Sequence, residues 1–338
     1  MALTADQMSE INALASSTFD KLSAKTDQFR QASALVSIMT KKPRLEHIDG
    51  GRDIQVPIQI RESRRSGSIS GTTDVLNANV DQIYSYAKFD HKHYTNDVTY
   101  TYDEQVRASQ SKEAIIDLIS AKIAEAAATA RRDLAMDLHG SGSDDGGLAL
   151  NGLADVFAPS GTSYGGLTNT DLDDPNLWLT EIDTSVSTVT YSSLAPLINE
   201  LINRGQGEGG DESYKPDVII SNSYIQSKFL SSLVPQQRFT SQEDLKAGFD
   251  GCFYNNIRWY ADDYSPGSKD GTTGDNWLYV LSTPTLSLKY VYGFEGKNSP
   301  MDTSVRIPTQ PLQTMQKFMT RNLICRARRY NGVFKNLV

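Results

Sequence analysis

His91 and His93 stand two positions apart in an alternating segment, so on a strand they would share a face and could offer two imidazoles to a metal ion. Only His47 and His139 remain, and neither adds a ligand at a recognisable spacing, so a plain polar strand face is the preferred reading. Asp262-Asp263 and Asp144-Asp145 are paired carboxylates of the kind that hydrolases use. Adjacent strand residues point to opposite faces, however, and both pairs abut Gly- or Pro-rich loops, where turn chemistry accounts for them. The run Gly140–Gly147 lacks the Gly-Lys-Ser/Thr ending of a phosphate loop and follows a helix instead of preceding one. No Gly-x-Ser-x-Gly elbow occurs, and neither Cys252 nor Cys325 has neighbours that would favour a thiolate. No catalytic, metal or cofactor site is expected, and the chain does not read as an enzyme.

Charge carries more information. The formal net charge is −8, which argues against a nucleic-acid surface covering the whole molecule. Yet no acidic residue follows Asp302, while Arg306, Lys317, Arg321, Arg326, Arg328, Arg329 and Lys335 do. A basic strand carrying Arg321, Arg326, Arg328 and Arg329 would meet phosphate or an acidic patch on a neighbour. The plainer reading pairs these cations with carboxylates of the same subunit.

Two long elements must position whatever chemistry exists. Ile116, Ile119, Ile123, Ala127, Ala130, Leu134 and Leu138 recur at three and four residues, which predicts a helix over Ala108–His139 that ends at the glycine run. It would span about 45 Å, against a radius of gyration of about 20 Å for a globule of this length. Its alanines would let it lie close across a sheet. Before it, Arg52–Tyr102 reads as an arm. Ile54, Val56, Ile58 and Ile60 alternate with polar residues, and a return strand over Ile83–Tyr102 is rich in Tyr, Phe, Thr and Val. Its aromatics could stack bases, but strand packing is the default. Pro57 marks an edge strand, and the polar, Gly/Ser-rich stretch Ser63–Asn79 predicts a mobile tip. A lone hairpin is marginal in water, so its order must come from its own body or from another subunit.

The rest is conventional. At 338 residues, 38% hydrophobic and 22% charged, the chain suits one or two globular domains. Two cysteines point to a reducing compartment, and no membrane-length apolar run or signal pattern is present. Leu3–Ser37 is helical in pattern and reads as an N-terminal arm. A helix at Tyr191–Arg204, a strand at Asp217–Ser221, a helix at Ser223–Leu233 and a strand at Phe253–Ala261 form an α/β insert. Trp277–Leu281, Leu286–Tyr290 and Met315–Arg326 are strands expected to return to the first body.

The later half carries a resemblance. LNGLADVFAPSGTSYGGLTNTDLDDPNLW from Leu150, KPDVIISNSYIQSKFLSSLVPQQRF from Lys215 and GFDGCFYNNIRWYADDYSPG from Gly248 stand in order before NWLYVLSTPTL. In that order and spacing they resemble segments of tailed-phage major capsid proteins. Thr168, Asn169 and Thr170 follow the paired glycines where that family often carries a charge. The resemblance implies an α+β, Hong Kong 97-like fold: N-terminal arm 1–50, extended loop 51–107, peripheral domain with spine helix 108–190, axial domain 191–275 and peripheral strands 276–338. It further implies a major capsid protein that self-assembles into hexamers and pentamers of an icosahedral shell around double-stranded DNA. Its partners would be copies of itself, a portal, and either a separate scaffolding protein or none, in a virion assembled in the host cytoplasm. Arg61, Arg64 and Arg65 would pair with a neighbouring subunit, with Glu62 as internal competitor. The alternatives are an encapsulin-type compartment and a soluble metal-dependent hydrolase.

Overall fold

The computed structural model describes residues 33–61, 82–104, 112–186, 188–204, 214–233, 252–255, 257–267, 275–292, 304–306 and 312–338. The helices are α1 (Ala34–Met39), α2 (Lys112–His139), α3 (Leu153–Val156), α4 (Tyr191–Arg204) and α5 (Ser223–Leu233). The strands from the arm to the insert are β1 (Leu45–His47), β2 (Ile54–Gln59), β3 (Tyr84–Phe89), β4 (Lys92–Thr101), β5 (Glu181–Asp183), β6 (Val218–Ser221), β7 (Cys252–Tyr254) and β8 (Ile257–Ala261). The last five are β9 (Asn276–Leu281), β10 (Leu286–Tyr292), β11 (Ser304–Arg306), β12 (Leu312–Cys325) and β13 (Gly332–Leu337). Of the expected N-terminal helix only the end lies among the described residues, as α1. Ser33 caps it, its Oγ accepting from the Val36 amide at 3.4 Å.

Three sheets result. One follows the order β1-β10-β12-β11, with β4 on the other flank of β12; the second is β5-β13-β9-β6-β8-β7; the third is the β2-β3 pair. The expected return strand Ile83–Tyr102 is therefore two strands that serve two sheets. The break falls at Asp90, whose carbonyl accepts from Asn322 Nδ2 at 2.8 Å, while Asn322 Oδ1 holds the Asn151 amide at 2.9 Å. Asn322 is fully buried, so this corner is fixed from inside. The expected strand Phe253–Ala261 is likewise two, β7 and β8, turning at Asn255, which adopts φ 48°.

At 28 residues α2 spans about 42 Å. Ile123, Ala127, Leu134 and Leu138 of the expected stripe are buried, and Ala130 is half-buried. Each large one contributes about 1.5–3 kcal/mol of burial. The stripe faces β4, where Asn96 Nδ2 donates to the Ala126 carbonyl at 3.1 Å. Gly140 closes the helix, its amide reaching the Met136 carbonyl at 3.0 Å. No helix among the described residues is long and apolar enough to cross a membrane.

The six-stranded sheet separates two cores. Ile219, Trp259, Leu278 and Val280 face α4 and α5; Val218, Ile220, Tyr279 and Leu281 face the larger core with α1 and the end of α2. All four residues of β6 are buried, as burial on both faces demands. This sheet takes strands from the segments 108–190, 191–275 and 276–338 alike, so its hydrogen bonding runs across the expected segment limits.

Candidate intersubunit surface

The β2-β3 hairpin has one finished face and one unfinished face. Inward, Ile54 pairs with Phe89 and Val56 with Ala87, all buried in the main core. Outward, Pro57 pairs with Tyr86 and Gln59 with Tyr84. The two tyrosines are 54% and 59% exposed, large aromatics side by side on an otherwise polar ribbon. The hairpin is held to its own subunit at both ends of the described ribbon: near the base the Lys88 amide donates to the Gly165 carbonyl at 2.8 Å, and toward the tip the Asp173 amide donates to the Ile60 carbonyl at 3.0 Å. Gly165 sits at φ +63°, and a Cβ there would come 2.7 Å from Phe89 Cζ.

Arg61, at the limit of the described hairpin, points its Nε at Asp173 Oδ1 of the same chain, 3.4 Å away, with half its side chain exposed. Arg64, Arg65 and the stretch Ser63–Asn79 lie outside the described residues.

The expected basic strand does not form one solvent-facing row. Arg328 lies in a short turn, 1% exposed, and its guanidinium donates to the carbonyls of Val156 (3.0 and 2.8 Å), Trp178 (3.0 Å) and Ala158 (3.0 Å) while covering the Tyr164 ring. Arg321 is also interior, stacked on the Tyr94 ring at 4.4 Å, beneath α2 in the field of Asp137 and Asp133. Burial pushes the Asp137 carboxyl above its usual range, and the Tyr94 hydroxyl that bonds it is itself pushed up by burial. Both arginines therefore lie inside the subunit and not on its surface: the Arg328 fork satisfies carbonyls that no water reaches, and Arg321 is held by the Tyr94 ring and the nearby carboxylates of α2. Arg326 is half-exposed and pairs with Glu46 at 2.6 Å, and Arg329 lies over the Tyr330 ring at 4.8 Å.

The residues of the hydrolase alternative are not brought together. His93 Nδ1 meets Thr320 Oγ1 at 2.9 Å across β4 and β12, whereas Asp262 lies beyond β8 and faces His139. Among the described residues no group of three or more His, Cys, Asp or Glu could hold a metal ion. Asp262 is more than a turn residue. It takes the Tyr264 amide at 3.0 Å as a turn would, but it is fully buried and also accepts from Ser33 Oγ and the Leu35 amide. Sequence reasoning missed this anchor because its partners are distant in the chain; the only signal was an acid at the end of a strand of alternating pattern. Burial pushes the Cys325 thiol up to about 11, so it stays protonated at neutral pH.

A long helix laid on one sheet, a second sheet that an α/β insert extends and covers on one face, and a two-stranded hairpin packed on the main core make up the Hong Kong 97-like capsid fold. The chain is similar over nearly its whole length to solved structures of that kind. The capsid asymmetric unit of cyanophage A-1(L) matches with TM-score 0.61 and 14% identity, covering 90% of this chain and 92% of that one. The capsid of Myoviridae phage XM1 matches with TM-score 0.55 and 10% identity, covering 89% and 92%. The holo-SrpI encapsulin complex of Synechococcus elongatus PCC 7942 matches with TM-score 0.54 and 13% identity, covering 88% and 89%. No family model and no curated protein matches the sequence.

Proposed function

We propose that this chain is the coat subunit of a phage-type icosahedral shell, assembling as hexamers and pentamers around double-stranded DNA, with a structural and not a catalytic role. The observation that carries the reading is the hairpin: its inner face is completed by its own core, and its outer face offers Tyr84, Tyr86 and Pro57 to something else. A neighbouring copy is the occupant that a capsid fold supplies, with Arg61, Arg64 and Arg65 near the tip as candidates for charge pairing there. Arg61 would then exchange or share its contact with Asp173. A portal, with a separate scaffolding protein or none, would complete the partners, and the virion, assembled in the host cytoplasm, would be the site of action.

The test is electron microscopy and size exclusion of the purified protein. Closed shells support the reading; a persistent monomer across salt and concentration overturns it. The encapsulin match supports a second reading, in which the shell holds protein cargo. Nucleic acid recovered from nuclease-treated native shells favours the first reading, and a co-purifying enzyme favours the second. The inward placement of Arg321 and Arg328 removes two cations from the case for DNA.

A further inference from the structure

The C-terminus of the long helix, the N-terminal segment and the six-stranded sheet meet at one buried polar point. His139, the last residue of α2, is 5% exposed, and its Nε2 lies 3.6 Å from Asp262 Oδ2. That oxygen also accepts from Ser33 Oγ at 2.7 Å and the Leu35 amide at 3.0 Å, which fixes the start of α1. Asp262 thus joins three elements far apart in the chain.

The point is not fully satisfied. Among the described residues neither His139 nitrogen finds a hydrogen-bond partner, and neither does the hydroxyl of Tyr279, whose ring packs against the imidazole at 5.6 Å. A neutral imidazole at 3.6 Å is just beyond bonding distance of the carboxylate. An imidazolium there would gain a charge-assisted bond, and the carboxyl end of a helix favours a cation. We propose that His139 and Asp262 form a proton-operated clamp, in which proton uptake by the imidazole draws the end of α2 onto Asp262 and tightens the hold on α1.

The groups that face this pair among the described residues come from several elements. From the sheet come Asp262 and the Tyr279 phenol, which burial keeps protonated. From the start of α1 come the Ser33 hydroxyl and the Leu35 amide. On α2 itself, Asp133 and Asp137 lie in the field of Arg321. In the turn that follows, Asp144 takes the Ser141 amide, and Asp155 takes Ser141 Oγ and the Gly142 amide. The Asp262 carboxyl is held below its usual range, with burial opposing and His139, Leu35 and Ser33 favouring the anion, so the clamp keeps its anionic half through mildly acid conditions. Imidazole is the side chain whose charge ordinarily changes between about pH 5 and 8. Because the contact is made by the protonated ring, the clamp strengthens as pH falls and weakens as pH rises.

Hydrogen exchange of the full-length protein, read at the Leu35 and Val36 amides and corrected for intrinsic rates, tests this between pH 7.5 and 5.5. Wild type is expected to gain about tenfold in protection at the lower pH, the size expected of a hydrogen bond between charged groups. His139→Gln is expected to be flat, and Asp262→Asn flat and less protected throughout. Protection that is constant or falls in wild type, or rises equally in His139→Gln, overturns the clamp. Should the variants fail to fold, NMR of histidine-labelled wild type decides. A His139 ring that titrates together with the Leu35 and Val36 amides supports the clamp, and one that titrates without them or stays neutral to pH 5 refutes it.

Discussion

Arg328 shows how a charge can belong to the interior. It donates four hydrogen bonds to three carbonyls from two segments, Val156 and Ala158 at the end of α3 and Trp178 further along the chain. Replacing it with alanine leaves those acceptors buried and dry, and the expected cost is about 3–5 kcal/mol, read as a fall in the denaturant midpoint. Arg328→Lys keeps the charge but loses the planar fork, so it is expected to recover less than half of that loss. Asp262 makes a prediction with a sign. Its folded-state carboxyl is held below the usual value, so its contribution is full above that range and is lost as pH falls through it. Wild-type stability is expected to drop below about pH 4, whereas Asp262→Asn starts lower at neutral pH and declines less steeply. Thermal midpoints between pH 3 and 7 would show it, and parallel curves would rule it out.

Among the elements, the long helix and the hairpin depend on close approach, and each can be tested by adding atoms. Ala127 lies on the buried stripe of α2, one residue after the Ala126 carbonyl that Asn96 of β4 reaches. Ala127→Leu is expected to lift the helix from the sheet at a cost of about 1–3 kcal/mol, measured by equilibrium unfolding. Gly165→Ala would drive a methyl into Phe89 at a left-handed backbone position, so it should loosen the hairpin base selectively, seen as faster hydrogen exchange at Lys88. How far these elements were legible in sequence follows from the range of their determinants. The apolar spacing of α2, the alternation of β2 and the apolar run of β6 are local patterns, and all three elements form where those patterns place them. The division of Ile83–Tyr102 between two sheets depends on Asn322, more than two hundred residues away, and no local pattern encodes it. The same holds for the candidate surface. Alternation identifies Tyr84 and Tyr86 as sharing one face of β3, but whether that face is inner or outer depends on which residues oppose it. The C-terminal arginines misled for a related reason: composition records their charge, while burial is decided by carbonyls elsewhere in the chain.

At the scale of the whole molecule, folding and assembly should be separable at the hairpin. Its inner face, with Ile54, Val56, Ala87 and Phe89, belongs to the main core, and removing that face would remove the subunit. Its outer face contributes nothing to that core, since Tyr84 and Tyr86 are more than half exposed. A double variant Tyr84→Ser, Tyr86→Ser is therefore expected to unfold within about 0.5 kcal/mol of wild type, as surface changes usually do. If a second copy covers this face, two aromatic anchors are lost from every such contact, and each anchor of this kind can contribute 2 kcal/mol or more, about thirtyfold in affinity. Because the contact would recur at every subunit of a shell, even a modest loss per contact should shift the population from closed particles to free subunits. Sedimentation velocity of the variant and wild type at matched concentration measures that ratio directly. Shells that form as readily from the variant, at unchanged stability, would mean that the exposed tyrosines face solvent and that the contacts between copies lie elsewhere on the subunit.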